Sequence, residues 1–378
     1  MVGSGCAAIQ TTGSLDAVGQ GDPSWSPGTG ESMRVRGLVI ALVSLALAIA
    51  FPHVVAALGA PFYTSLATRI LIFALAALSL DLILGYGGLV SFGHAAFMGV
   101  GAYTVGILFH HSAMMTPILG LPGTQSAFVV WPLGMLLSGL FALAIGAICL
   151  RTRGVFFIMI TLAFAQMLFY LFVSLRTYGG EDGIPLWGRS TFGGLLDLED
   201  NLTLYYVCLA ILAVAIGLAL RLVRSPFFQV IRGAKDNERR MLALGYPVYR
   251  YQLVAFVISG MLAGLAGILL ANASGFVGPA YLAWTRSGEL IVMVVLGGMG
   301  TVIGPVIGAA ALILLEEFIP EALDAARAGW GEHWRIVLGP LLLGVVLFAP
   351  RGLLGLLPRS LWRVRSPATS RPADAADG

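Results

Sequence analysis

Residues 289–315 read ELIVMVVLGGMGTVIGPVIGAAALILL, and how often this run crosses a membrane decides the fold. It is apolar along its length, but Gly297-Gly298-Met299-Gly300 and Gly304-Pro305 interrupt it. Its 27 residues are too few for two full spans of about 20 residues each. They are enough for two half-helices meeting at the glycines. A single crossing and a return place everything that follows on opposite sides, so the surrounding chain has to choose.

The surroundings are those of an all-α, polytopic membrane protein. Of 378 residues, 58% are hydrophobic and 11% charged, less than half the roughly 25% charged share of soluble domains. The mean hydropathy is +0.90. That composition excludes a soluble globular chain, a disordered one, a collagen and a nucleic-acid-binding domain. Working outward, further runs of spanning length cover Val35–Leu58, Phe62–Leu84, a glycine-interrupted Leu89–Phe109, Phe128–Leu150, Val155–Leu175, Leu202–Leu220 and Tyr251–Ala273. A shorter run, Ile336–Phe348, closes the set. The expectation is eight to ten transmembrane helices, counting broken or re-entrant elements.

Charge then fixes the topology. The net charge of +3 says little about partners, but sixteen of the 22 basic residues fall in four groups. These are Arg34 and Arg36; Arg151 and Arg153; the seven between Arg221 and Arg250, including the single lysine, Lys235; and the tail from Arg351 to Arg371. Cytoplasmic segments carry such excess. The first three groups share one side if every run crosses once. The tail joins them only if 289–315 enters and returns, so a re-entrant or broken element is expected there and both termini on the cytoplasmic side. Irregular backbone at membrane depth persists only where protein or a water-filled cavity satisfies it.

Three domains follow. Residues 1–32, rich in Gly, Ser and Thr and without an apolar run, read as a disordered tail or a start placed too early, Met33 with Arg34 and Arg36 being a natural beginning. Residues 33–357 form the membrane domain, with an inner segment at 224–245; residues 358–378 form a basic tail. Cys6, Cys149 and Cys208 are too few and too scattered for a disulfide framework.

Four segments are candidates for function. The first is Gly85–Phe97, GYGGLVSFGHAAF; residues 85–106 hold seven glycines, each costing about 1 kcal/mol in a helix relative to Ala, so a break or very close packing is expected. Ser91 and His94, three apart, share a face if helical, and an ionisable residue inside a membrane run is a candidate for function. The competing reading is a neutral His hydrogen-bonded between helices. The second is Gly297–Gly308, where Gly300, Gly304 and Gly308 repeat at small-xxx-small spacing. Two interrupted segments in the two halves point to a path near the midplane, where half-helix N-termini would offer N–H groups to a carboxylate. Glu289 reads as a helix N-terminal cap. The third is Arg224–Gly245: Pro226 is placed to open a helix, Asp236 and Glu238 to start a second, Gly245 to end it, with Met241, Leu242 and Leu244 as its apolar side. A short amphipathic inner helix suits a soluble partner; a basic segment lying on anionic lipid is the plainer alternative. The fourth, Arg176–Asn201, is acidic and reads as a solvated outer loop before a receptor for an external protein.

Several chemistries find no motif. Lys235 sits between Ala234 and Asp236, so there is no phosphate-binding G-x-x-x-x-G-K-[ST]; no His/Cys metal spacing and no G-x-S-x-G elbow occur. With Asp81, Glu289, His94 and Arg69 the few ionisable residues in or beside apolar runs, an ion-coupled carrier is disfavoured.

The run Gly85–Thr104, GYGGLVSFGHAAFMGVGAYT, resembles the signature of branched-chain amino acid ABC transporter permeases of the LivH/LivM type. The likeness continues through Arg153-Gly154-Val155, Thr161–Phe164, Tyr178–Ile184, Arg224–Gly245, Ala263–Gly267, Glu289–Gly308 and Pro350–Leu353, spanning roughly 35–357, and its length and inner segment are more like LivM than LivH. The chain departs at Asp81, where members often carry Asn, and at Leu89, where they often carry Gln. The resemblance implies a non-enzymatic permease subunit importing leucine, isoleucine, valine or related amino acids through the inner membrane. It implies a second, LivH-type permease subunit, two cytoplasmic LivG/LivF-type ATPases that bind ATP and magnesium, and a periplasmic or surface binding protein, beside membrane lipid. This chain would itself hold no cofactor or metal and no nucleic acid. Arg232, Asp236, Glu238, Arg239 and Gly245 would couple to the ATPases, and Ser91, His94, Tyr103, Gly297, Gly298 and Gly300 would line the path. An importer of urea or short amides and an ion-coupled secondary carrier are the alternatives.

Overall fold

In the computed structural model, residues 43, 45–55, 59, 62–115, 117, 123–194, 196–326, 329, 331–348 and 352–356 are described. The expected tails 1–32 and 358–378 and the start of the first span lie outside them. The described residues are mostly helical. In order come α1 (Leu45–Val55), α2 (Phe62–Leu84), α3 (His94–Ala113), α4 (Ala127–Cys149), α5 (Val155–Ser174), α6 (Asn201–Val223), α7 (Pro226–Ala243), α8 (Val248–Ser274), α9 (Trp284–Gly297), α10 (Gly304–Ala326) and α11 (Trp334–Phe348). Five of the described helices, α2, α4, α5, α6 and α8, are long and apolar enough to cross a membrane by length and composition. The only sheet among the described residues pairs β1 (Ile184–Pro185) with β2 (Phe276–Val277).

Punctuation sets the helix ends. Asp200 caps α6 by accepting from the Leu202 and Thr203 amides. Ser225 caps α7, with Pro226 in the first turn where its missing N–H costs nothing. α8 stops at Gly275, in the left-handed conformation. The third span starts five residues later than expected, at His94 rather than Leu89, because 85–93 is a non-helical break.

α8 packs against α2, α3 and α4, and α2 also against α6 and α10. Helices α3 and α8 meet backbone to backbone: a Cβ on Gly101 would overlap the Gly264 carbonyl, and one on Gly267 the Met98 carbonyl. Hydropathy does not separate centre from periphery, being 2.0 for α2 and 2.2 for α5. Burial does: 78% of the apolar window of α2 is enclosed and 28% of that of α5.

The run 289–315 is two helices folded back on one another. α9 ends at Gly297, Gly298 and Gly300 take φ of +117° and +74°, and α10 begins at Gly304. A Cβ on Gly297 would overlap the Gly304 carbonyl, and one on Gly308 the Met293 carbonyl. Gly304 and Gly308 therefore pack against α9, whereas Gly300 belongs to the bend. Gly352, beyond α11, lies against Gly297 and Gly298. That places the C-terminal segment at the same end as Gly85 and α7, as a returning element requires; we call this the basic end.

At the opposite, loop end, 176–200 is more than a solvated loop. Arg189 donates to the Leu198 and Glu199 carbonyls and to Asn201 Oδ1, and its amide donates to Glu199 Oε1. The Ser190 amide donates to Asn272 Oδ1 of α8, 2.8 Å away. The acidic side chains are exposed as expected, but the backbone is pinned.

Candidate functional site

The two glycine breaks meet at the basic end. The second lies beside the last turn of α2 rather than midway along a span. The Gly300 amide donates to Asp81 Oδ1 at 2.9 Å. Gly85 lies between them, and a Cβ there would overlap both the Asp81 carboxyl and the Gly300 amide. The N–H expected to face a carboxylate thus faces one of the chain's own. Asp81 Oδ2 has no hydrogen-bond partner among the described residues.

Helix α7 closes the junction. Lys235 Nζ donates to the Gly85 carbonyl at 2.7 Å, and the Lys235 stem lies against Gly88, whose φ is +70°. Arg232 sits over the Tyr86 ring, 4.7 Å from its centre. Burial pushes the Tyr86 phenol above its ordinary range, Asp81 adding to the rise and Arg232 opposing it, so the ring stays a neutral partner for the cation. Phe228, Val230, Ile231 and Ala234 form the buried side of α7.

The inner segment is two helices, as its sequence indicates, but the second starts on Asn237. Its φ of −155° and ψ of 98° break α7, and its Oδ1 accepts from the Arg240 amide as an N-cap. Glu238 instead reaches Arg153, beyond the end of α4, as an ion pair at 2.5 Å. Gly245 has φ +87°, and the Tyr246 amide closes the helix end on the Met241 carbonyl. Leu242, Leu244 and Tyr246 are 50%, 64% and 41% exposed, an apolar patch facing away from the bundle. Asp236 and Arg239 are exposed beside it.

The residues expected along a path are dispersed. His94 Nε2 lies 2.9 Å from Ser79 Oγ of α2 and 3.4 Å from Ser259 Oγ of α8, so it ties three helices together. Its Nδ1 has no partner among the described residues. Ser91 Oγ accepts from the Gly93 amide. Tyr103 stacks on Phe172 at 4.2 Å. All three are enclosed by this chain's own helices. Gly297, Gly298 and Gly300 share the second break. Glu289 does not cap a helix: α9 starts at Trp284, and the Glu289 carboxylate, in the second turn, takes Arg286 Nη1 at 2.7 Å. In the sequence Asp81 stands out as a rare ionisable residue and a departure from the family pattern, and Lys235 as the single lysine; a contact 219 residues long leaves no local pattern.

A model of the family described as branched-chain amino acid transport system / permease component matches residues 62–346. The chain is similar to the high-affinity branched-chain amino acid transport system permease protein LivM of Salmonella typhimurium, 28% identical over 348 residues, covering 86% of this chain and 76% of that protein. It is 27% identical to LivM of Escherichia coli K12 over 352 residues, with the same shares covered. To the permease protein BraD of Pseudomonas aeruginosa it is 24% identical over 298 residues, covering 75% of this chain and 91% of that one. No solved structure matches it.

Proposed function

This chain belongs to the family of branched-chain amino acid transport permease components, and on that premise we propose that it is a membrane-spanning subunit of an ATP-driven importer of leucine, isoleucine, valine or related amino acids. It works beside a second permease subunit. Two ATPases bind at the basic end, which the excess of Arg and Lys puts in the cytoplasm together with both termini. A binding protein delivers substrate at the loop end.

The observation that carries this reading is the double attachment of α7. Its outer side offers Leu242, Leu244 and Tyr246 among charged residues, a surface suited to a soluble partner. Its inner side holds the first glycine break through Lys235, and the first break holds the second through Asp81 and Gly300. A push by closing ATPases on the patch at 242–246 crosses the bend at Asn237 to Lys235 and from there reaches both breaks. The backbone at Gly297, Gly298 and Gly300 is where the path opens and shuts; Ser91, His94 and Tyr103 line it only when the helices around them part.

The test is the double variant Gly245→Pro with Glu238→Arg, which breaks the helix end and reverses the charge facing Arg153. ATPases should no longer co-purify with the permease pair, and ATP-driven leucine uptake should fall to background. Normal uptake with normal co-purification contradicts the assignment of α7.

A further inference from the structure

One face of α9 is left uncovered by the described residues, and it carries an ion pair inside the span. The depth follows from neighbours. Ser287 Oγ accepts from the Ala95 amide at 3.0 Å. Ala95 lies 18 residues before the outer end of α3 at Ala113, about 27 Å at 1.5 Å per residue. From the basic end the same level is marked by Ser79, Thr161 and Ser259, which Phe92 and His94 contact. These lie about 8, 9 and 17 Å from the nearer ends of α2, α5 and α8 on the same rise. Arg286 and Glu289, on either side of Ser287, therefore lie within the span, nearer its basic end.

Their side chains are 31% and 34% exposed, and Arg286 Nη1 donates to Glu289 Oε2 at 2.7 Å. Ser287, Leu290, Met293 and Val294 turn inward. Thr285 and Met299 are exposed and Val292 and Val295 half-buried, so the uncovered strip is charged near the start of α9 and aliphatic beyond. Hydrocarbon does not tolerate such a pair; intramembrane charges face a bundle interior or a water-filled space.

The chemistry of the strip fits one class of solute. An aliphatic amino acid near neutral pH carries a carboxylate and an ammonium on one carbon. A guanidinium fork suits the carboxylate, a carboxylate suits the ammonium, and Val292 and Val295, one to two turns on, suit a branched side chain. A neutral amide or a simple ion has no use for both signs. With no solute present the two groups satisfy each other, so neither is a lone buried charge, and a passing solute replaces one ion pair by two. The net gain is small, as a point of passage requires. We propose that Arg286 and Glu289 form a station on the translocation path that holds the zwitterionic head of the transported amino acid. The proposal rests on the reading of the chain as an amino-acid permease subunit.

The experiment uses the assembled transporter in proteoliposomes, with both permease subunits, both ATPases and the binding protein. In a background where Cys6, Cys149 and Cys208 are replaced by Ser, Thr285→Cys, beside the pair, should react with a charged, membrane-impermeant thiol reagent. Leucine at saturation should slow that reaction, because an occupied station shields the thiol. Val214→Cys, on the exposed face of α6, is the unreactive control. Glu289→Gln and Arg286→Gln should each lower leucine uptake roughly tenfold while all subunits co-purify in normal yield. A Thr285→Cys thiol that stays unreactive, or reacts without protection, overturns the station, as does normal uptake by both Gln variants. Loss of the second permease subunit from either variant assigns the pair to subunit docking and also overturns it. If the unaltered transporter imports no leucine at all, the functional reading fails instead; import by the unaltered transporter with no effect at 286 and 289 removes the station alone.

Discussion

The two glycine breaks look alike in sequence and are held in different ways. The first, 85–93, is gripped from several elements: Lys235 of α7 holds the Gly85 carbonyl, Thr161 Oγ1 of α5 accepts from the Phe92 amide, and Ser287 of α9 takes the Ala95 amide just beyond. The second, 298–303, is held within itself by Thr301, whose hydroxyl donates to the Gly298 carbonyl and accepts from the Gly304 amide. The one side-chain hydrogen bond described from another helix to it is that of Asp81 to Gly300. In the proposed mechanism the first break is the fixed junction and the second, joined to other helices by fewer side-chain hydrogen bonds, is the lever. On that reading, motion imposed by α7 arrives at the first and is delivered at the second.

The largest effect that would separate them is at Gly85. Gly85→Val places carbon where the Asp81 carboxyl and the Gly300 amide now sit, and overpacking of this kind costs about 1–3 kcal/mol or more. Uptake should be lost and the melting temperature of the purified complex clearly lowered. Gly217→Ala, where a Cβ meets nothing within 4 Å, should leave both unchanged. Next is Lys235→Met, which keeps the aliphatic stem against Gly88 and removes the donor to Gly85. ATPases should still bind and hydrolyse ATP, while leucine imported per ATP falls roughly tenfold, the equivalent of one charged hydrogen bond. An unchanged ratio would show that the force takes another route. Asp81 gives a paired test. Asp81→Leu strands the Gly300 N–H at a cost of about 1–3 kcal/mol, whereas Asp81→Asn keeps an acceptor and should melt close to the original. Equal losses in the two would mean that charge, not the hydrogen bond, holds the lever. Smallest is Arg153→Ala: an ion pair with one side chain 68% exposed is worth up to about 1 kcal/mol, so thermal melting should barely move.

What the sequence made legible was mostly local. Phe62–Leu84 is both the apolar run and α2, and Gly85 punctuates its end. Pro226 and Gly245 mark where the inner segment starts and stops for the same reason. The returning element was legible through arithmetic on charge, since the basic tail has to rejoin the other basic groups. Local pattern misled where a side chain outranked hydrophobicity. Leu89 and Val90 count toward a span but belong to the break, and α9 starts on an aromatic residue that carries no capping signal, so by pattern Glu289 reads as a cap whereas it is half of an ion pair. Burial on α2 against α5 was not legible at all, since lipid and protein select the same side chains. Contacts such as Asp81 to Gly300 depend on the folded topology and leave no periodic trace.

The most direct measurement is accumulation of labelled leucine by the permease pair in sealed vesicles, with and without its ATPases. Uptake should require the ATPases, ATP and the binding protein, and should be absent from the pair alone under a proton or sodium gradient. Concentration of leucine by the pair alone under either gradient would contradict the claim that this chain is a gate driven from outside itself.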